Sequence, residues 1–338
     1  MTVLAFPRPR AAKPPRRVDP EDGGRTRWAG AGGALSYLAH FGLAEAPFGL
    51  TPDTDFFFAS PPHQEALNTL LYALENGEGF IRIVGAVGTG KTLLCRTLLA
   101  SLPPACRAAY LPNPALDPAG ILLAVAEELG IRPKGNESDY RLHKAIQSRL
   151  IALARRDTQV VLIIDEAQAM PVESLETVRL LSNLETEKRK LLTIVLFGQP
   201  ELDARLEAVP QLKTRISFHD RLRPLTRDEL AAYLVHRVGR AGHGGSEPLF
   251  SPRAVRRLHA ASAGVPRVAN VIAHKALMLA YGKGRRRVGG REMRLAARDT
   301  LAAKPGQYAA RWGWIALALL AGVLAGGSFQ LLGAGRLF

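Results

Sequence analysis

The sequence predicts a three-layer α/β domain built on a parallel sheet, then a small all-helical domain, then a single membrane-spanning helix. Three observations predict it. Val160-Val161-Leu162-Ile163-Ile164 is an unbroken apolar stretch, and the run from Leu191 to Phe197 is a second one of the same type, apolar but for Thr193. Such runs, rich in β-branched residues, are the mark of strands buried on both faces. Helical patterns alternate with such runs up to residue 223 and from Pro224 replace them altogether. Trp312 to Leu332 carries no charge over 21 residues. At about 1.5 Å per residue that is enough to cross a hydrocarbon core of roughly 30 Å.

The 338 residues, 47% of them hydrophobic, provide for about two domains and a sizeable core. Two cysteines, Cys95 and Cys106, exclude a disulfide framework and offer no metal-ligand spacing. A net charge of +15 permits attraction to nucleic acid or anionic lipid. The basic residues are mostly scattered arginines, so charge alone selects neither. Residues 1–36 hold seven basic groups against three acidic ones among Pro, Gly and Ala, with no periodic apolar face. That composition predicts a disordered basic extension, and Val3 to Phe6 is too short for a secretory signal.

Order is expected from Tyr37. Phe48 to Pro62, with Phe56-Phe57-Phe58, reads as a packed loop. A helix over His63 to Asn76 places Leu67, Leu70, Leu71 and Leu74 on one face and ends at Gly77. Strand Ile81 to Val84 follows, then a helix from Thr92, a short strand at Ala108 to Leu111, and helices over Pro118–Leu129 and Tyr140–Arg155. Ile216-Ser217-Phe218 looks like one more strand. Beyond Pro224 come helices at Asp228–Gly239 with Thr226 as N-cap, from Ser251-Pro252 to just before Gly264, at Val268–Ala280 and at Arg291–Leu301. The expected division is 1–36 extension, 37–223 α/β core, 224–302 helical lid, 303–311 linker, 312–332 membrane helix and 333–338 tail.

The chemistry is carried by Gly85-Ala86-Val87-Gly88-Thr89-Gly90-Lys91-Thr92, which matches G-x-x-x-x-G-K-T in full between a strand and the apolar helix that continues at Leu93. Its glycines let successive N–H groups face a polyphosphate, and the helix points its positive end at the same anion. Gly85 to Leu93 is therefore the expected binding set, with Lys91 on the β/γ phosphates and the Thr92 hydroxyl on Mg²⁺. Asp165 and Glu166 emerge from a buried strand 74 residues after Lys91, at the sheet edge where ligands bind. Asp165 suits the metal and Glu166 suits polarising an attacking water. Gln199, at the tip of the neighbouring strand, suits a hydrogen bond to phosphate or water, with a turn role before Pro200 as the rival reading.

Arg215, just before the last strand, is a candidate finger for the nucleotide of an adjacent subunit, with Arg221 and Arg223 as rivals. Arg267, in Gly264-Val265-Pro266-Arg267, opens a lid helix and could contact the γ-phosphate from the second domain. Lys283, Arg285, Arg286 and Arg287 form a glycine-flanked loop, and Arg253, Arg256 and Arg257 line one face of a lid helix. A solvated face is the default reading of both groups. Anionic headgroups rank next because of the span downstream, and DNA phosphates rank behind, since no aromatic set interleaves the basic residues.

Several stretches also carry a resemblance. They are residues 37–43 (YLAHFGL), Pro47-Phe48-Gly49-Leu50-Thr51-Pro52-Asp53, His63-Gln64-Glu65-Ala66-Leu67, Asp165-Glu166-Ala167-Gln168-Ala169-Met170, residues 180–186 (LLSNLET), Phe197-Gly198-Gln199-Pro200-Glu201-Leu202 and Gly264-Val265-Pro266-Arg267. With these the chain resembles an AAA+ ATPase, and more narrowly the ExeA/MshM-like family, over about residues 37–302.

The resemblance implies a single-pass inner-membrane protein of bacteria with its bulk in the cytoplasm. It implies hydrolysis of ATP with Mg²⁺, coupled to assembly or positioning of a type IV pilus-like or type II secretion apparatus. It implies a ring or head-to-tail oligomer, with partners among the inner-membrane assembly proteins. Residues 1–36 have no counterpart in the family, which points to a start codon placed too far upstream. ExeA-like members continue past the span into a peptidoglycan-binding region, whereas here six residues follow it, so direct cell-wall binding is not expected. The alternative is a DNA-binding regulatory ATPase similar to transposition regulators. A nucleotide-binding scaffold without turnover ranks third, because Asp165 and Glu166 are both in place.

Overall fold

In the computed structural model the described residues are 37–51, 53–132, 138–187 and 189–300. The expected extension 1–36, the linker, the membrane helix 312–332 and the tail lie outside them. Among the described residues no helix is long and apolar enough to cross a membrane.

Five strands form one sheet: β1 (Phe80–Gly85), β2 (Cys106–Leu111), β3 (Gln159–Ile164), β4 (Leu192–Gly198) and β5 (Ile216–Leu222). Their spatial order is β2-β3-β4-β1-β5, and every neighbouring pair is parallel. Parallel neighbours need long crossovers, and these are helices. α1 (Pro61–Glu75) leads in, α2 (Lys91–Ser101) joins β1 to β2, and α3 (Pro118–Glu128) and α4 (Asp139–Ala154) join β2 to β3. α5 (Val172–Leu181) lies between β3 and β4, and α6 (Glu201–Glu207) and α7 (Pro210–Lys213) precede β5. The sequence reading named no element at α5, α6 or α7, because ten, seven and four residues are too few turns for a clear 3.6-residue period.

The three-layer expectation holds. Alternate strand residues point to opposite faces. Ile81, Ile83, Val161, Ile163 and Phe197 pack on Leu67, Leu70, Leu94 and Leu98 from α1 and α2. Val84, Leu162, Ile164, Ile194 and Leu196 pack on Ile121, Val125, Ile146, Leu150 and Val178 from the opposite helical layer. Both strands read from sequence as doubly buried are so. Charged groups needed for chemistry can then leave the sheet only at strand ends.

Four helices make the lid: α8 (Arg227–Arg240), α9 (Pro252–Ser262), α10 (Pro266–Tyr281) and α11 (Gly290–Arg298). Thr226 caps α8 through a full capping box with Glu229, and Ser251 caps α9, whose first residue is Pro252. α9 ends with Ala263 and Gly264 both at positive φ, 50° and 76°. Gly264 is required there: its carbonyl accepts from the Leu225 N–H at 2.9 Å, and a Cβ would stand 2.1 Å from the Leu225 oxygen. This bond ties the start of the lid to the turn between α9 and α10.

One expected boundary needs correction. Residues 37–51 and 53–58, assigned from sequence to the core, pack on the lid: Tyr37, Phe41, Leu43, Phe48 and Phe56 join Leu230, Leu234, Leu258 and Ile272 in one cluster. They form a strap across α8. Arg237 fastens it: Nε donates to the Pro47 carbonyl at 2.6 Å and an Nη to Gly49 at 3.4 Å. Its guanidinium lies 4.5 Å from the Phe56 ring centroid. The Ala44 N–H donates to Ala241 at 2.7 Å, and His243 Nδ1 donates to Phe41 at 2.8 Å. Adjacency in sequence to the core concealed contacts made nearly two hundred positions away. Arg237 is buried, so Arg237→Met should strand two carbonyls and lower stability by about 2–3 kcal/mol. Urea unfolding would measure this, and limited proteolysis should find earlier cleavage within residues 37–56.

Candidate functional site

The carboxyl edge of the sheet gathers the expected residues. Asp165 follows β3, Gln199 follows β4 and the glycine-rich loop follows β1. Because β4 lies between β1 and β3, Gln199 stands between the loop and the acidic pair.

The loop is shaped by its own bonds. Gly88 and Gly90 sit at φ 80° and 102°, and Gly90 is the N-cap of α2. The Thr89 hydroxyl donates to the Ala86 carbonyl at 2.8 Å. Lys91 is buried, and its Nζ donates to Gly85 at 2.9 Å and Ala86 at 3.2 Å. Burial lowers the Lys91 pKa, against the pull of the Glu166, Asp165 and Glu201 carboxylates. Leu93 is half-buried on the first turn of α2. Ala86 and Val87 are exposed at the loop's tip.

Asp165 is buried, and burial raises its carboxyl pKa against hydrogen bonds from the Thr92 hydroxyl and the Glu166 N–H. Asp165 and Thr92 thus bring together two hard oxygen donors, the type Mg²⁺ takes. Glu166 is a non-glycine residue at φ 52°, a backbone state costing about 1–2 kcal/mol. Its Oε2 accepts from Gln168 Nε2 at 2.6 Å and from Gln199 Nε2 at 3.1 Å, while the Gln199 N–H donates to Gln168 Oε1 at 2.9 Å. Burial pushes Glu166 up, but the two amides and Lys91 outweigh it and hold the carboxyl below its ordinary range. It is a carboxylate at neutral pH, fixed in direction. The sequence reading placed Gln199 here and missed Gln168. Two positions beyond an acidic pair, a glutamine able to reach back was the available signal.

Arg267 begins the lid's approach. Its N–H donates to the Gly88 carbonyl at 3.2 Å, and a Cβ on Gly88 would meet Arg267 Cβ at 2.7 Å. The exposed Arg267 side chain therefore starts beside the loop. Arg215 stays away from it. It precedes the first residue of β5, and the seven residues of that strand, at about 3.3 Å each, put it roughly 20 Å from the carboxyl edge. There an Nη donates to Ser182 Oγ at 3.0 Å. Arg221 reaches Asp203 at 3.4 Å. Arg223 is bidentate on Glu229, 2.8 Å on each arm, which draws it into the α8 cap.

The basic groups of the lid are partly spent on structure. Lys283 and Arg285 pair with the fully buried Glu292 at 3.3 and 3.2 Å, Arg287 pairs with Glu247 at 3.8 Å, and Arg257 donates to the Gly290 carbonyl. Arg253 and Arg256 line a groove of about 910 Å³ beside α8, away from the phosphate loop. Cys95 is a buried packing residue, its thiol pushed up to about 12 by burial. A second residue missed from sequence is His63, read only as the start of a helix. It is buried, and its Nε2 donates to the Thr89 carbonyl at 3.0 Å.

Comparison with known proteins accords with this geometry. A family model described as an AAA domain matches residues 74–206. General secretion pathway protein A of Aeromonas hydrophila is 38% identical over 263 residues, 77% of this chain and 48% of that protein. The chain thus spans about half the length of this relative. Among solved structures, the Aeropyrum pernix ORC2 protein in ADPNP–ADP complexes superposes with a TM-score of 0.54 at 19% identity, covering 75% of this chain and 73% of that one. Cdc6p from Pyrobaculum aerophilum superposes with a TM-score of 0.56 at 21% identity, covering 78% and 71%. Fold and site together define a P-loop α/β domain of the AAA+ class with a helical lid. Within that class the chain is an ExeA-like member of the AAA+ ATPase family.

The Arg223–Glu229 pair makes a pH prediction. Hydrogen bonds from Arg223 hold the Glu229 carboxyl down to about 2, from an ordinary 4.5. A depressed carboxylate stabilises fully above its unfolded pKa and loses that contribution as pH falls through its folded pKa. Glu229→Gln should therefore cost about 1 kcal/mol at neutral pH, the value being limited by the exposure of Arg223. The difference from wild type should shrink between about pH 4.5 and 2, read by urea unfolding at stepped pH.

Proposed function

We propose that this chain binds Mg²⁺-ATP at the carboxyl edge of its sheet and hydrolyses it, and that turnover drives assembly or positioning of a type II secretion or type IV pilus-like apparatus. The observation that supports this best is the convergence of Lys91, Thr92, Asp165 and Glu166 beneath the start of α10, where Arg267 meets Gly88. Lys91 and the loop amides bind the β and γ phosphates, with the ammonium exchanging its carbonyl partners for phosphate oxygens. Thr92 and Asp165 hold Mg²⁺, which when bound would neutralise phosphate charge. Glu166 orients the attacking water and takes its proton as general base. Gln199, bonded to Glu166, is placed to sense the γ-phosphate, and Arg267 adds a lid contact to it.

Arg215 cannot serve its own loop across the length of β5. The finger role therefore belongs to a neighbouring copy in a ring or other head-to-tail oligomer. The likeness to a general secretion pathway protein supports the envelope-assembly reading. The uncharged stretch 312–332 supports a single inner-membrane span with the bulk of the chain cytoplasmic. Partners are then inner-membrane assembly proteins, with anionic lipid as a secondary contact beside the span.

Lys91→Ala should abolish binding of a fluorescent ATP analogue. Glu166→Gln should keep binding within about threefold while cutting turnover by about a hundredfold or more, the worth of a lost general base. Equal turnover by Glu166→Gln and wild type would overturn the hydrolytic assignment. Fractionation of the full chain beside a version ending at Lys304 should find only the full chain in membranes, with turnover indifferent to added DNA. Two soluble proteins stimulated by DNA would instead favour the DNA-regulator reading.

A further inference from the structure

We propose that His63 braces the phosphate loop in its anion-binding shape, acting through the carbonyl of Thr89, and is a positioning residue for the nucleotide phosphates. The effect on nucleotide affinity rests on the ATP-site reading above, whereas the brace itself is a property of the loop.

A loop that turns successive N–H groups toward an anion must turn carbonyls the other way, and a buried carbonyl needs a donor. The loop's carbonyls divide their donors unequally. Gly85 and Ala86 are served by Lys91, a group that leaves when it engages phosphate. Gly88 is served by the N–H of Arg267, from the lid. Thr89 is 1% exposed and is served by His63 Nε2 at 3.0 Å, from the core side. Ala86 also accepts from the Thr89 hydroxyl within the loop, so of these donors His63 is the one that reaches in from the core outside the loop.

The imidazole is built for this one contact. A carbonyl only accepts, so Nε2 carries the hydrogen and Nδ1 of the neutral ring is left as an acceptor. Ser60 Oγ, fully buried, lies 2.7 Å from Nδ1 and donates to it, which fixes the tautomer. Phe57 stands edge-on to the ring at 6.0 Å between centroids. On the loop side the ring is met by Gly90: a Cβ there would lie 2.6 Å from Nε2, and φ is 102°. Gly90 therefore serves both a left-handed turn and a close approach to His63.

The test uses the full chain carrying His63→Gln or His63→Asn. The glutamine Nε2 lies as many bonds from Cβ as the imidazole Nε2 and keeps the donor to Thr89. The asparagine amide reaches only as far as Nδ1 and loses it. Amide hydrogen exchange over residues 86–92 is measured without nucleotide, and ADP affinity is measured by fluorescence titration. His63→Asn should speed loop exchange and weaken ADP by about tenfold each, the effect of one buried hydrogen bond left unmade. His63→Gln should stay within about threefold of wild type.

Equal impairment of both variants would mean that ring packing, not the donor, matters, and would overturn the proposal. So would exchange unchanged in both. Should His63→Asn fail to fold, Ser60→Ala keeps the ring and frees its tautomer. It should speed loop exchange about threefold, and exchange equal to wild type would overturn the proposal. A wild-type chain that bound no ADP or ATP would overturn the ATP-site reading, and the exchange data would still decide the brace.

Discussion

The buried ammonium of Lys91 sets the terms for the rest of the structure. A cation taken out of water has to be met by carbonyl oxygens and by a negative field. Here the loop supplies Gly85 and Ala86, and Asp165, Glu166 and Glu201 supply the field. Those carboxylates can assemble only at strand ends, because β3 and β4 are apolar on both faces. Parallel pairing then brings the ends to one edge. The sheet's hydrophobicity and its electrostatics are thus linked: burial of β3 and β4 on both faces leaves their strand ends as the place for the acidic pair, at the edge where the loop lies.

The lid meets this edge by two routes. One is direct, from Arg267 to the Gly88 carbonyl. The other runs through the strap: Phe58 packs on Tyr233 and His236 of α8 at 5.7 and 5.4 Å, and its neighbour Phe57 packs on His63, which bonds Thr89. Within the lid, the turn at Gly264 packs on the Leu225 backbone with no space for a side chain. Both routes end on carbonyls of adjacent loop residues, Gly88 and Thr89.

Much of this was legible in the sequence, for identifiable reasons. β3 and β4 announce themselves because a doubly buried strand has little room for polar residues, and the buried Thr193 of β4 has its hydroxyl bonded to the Glu78 carbonyl. The loop, Asp165 and Glu166 are legible because their spacing reflects a chemical need. Thr226 was read as an N-cap, and the T-x-x-E pattern that makes it a capping box was also present. That pattern would have drawn Arg223 to Glu229 and removed it from the finger candidates. The strap was not legible, since nothing local in residues 37–56 tells Phe48 and Phe56 which of two cores to join. His63 was not legible for the same reason. Its partner is a carbonyl, and a carbonyl carries no residue identity.

The net charge of +15 shows how far composition stands from a binding surface. In the lid, Lys283 and Arg285 converge on Glu292, which is 0% exposed and closes the start of α11 through the Gly289 N–H at 3.2 Å. An isolated buried carboxylate would be costly, so the two cations are what permit that cap. Arg237, one of the charges in that total, is buried beneath the strap. Arg257 holds the Gly290 carbonyl at the entry to α11. These basic side chains of the lid thus hold its helix ends and its strap. The formal charge therefore overstates what these lid residues leave for an anionic partner.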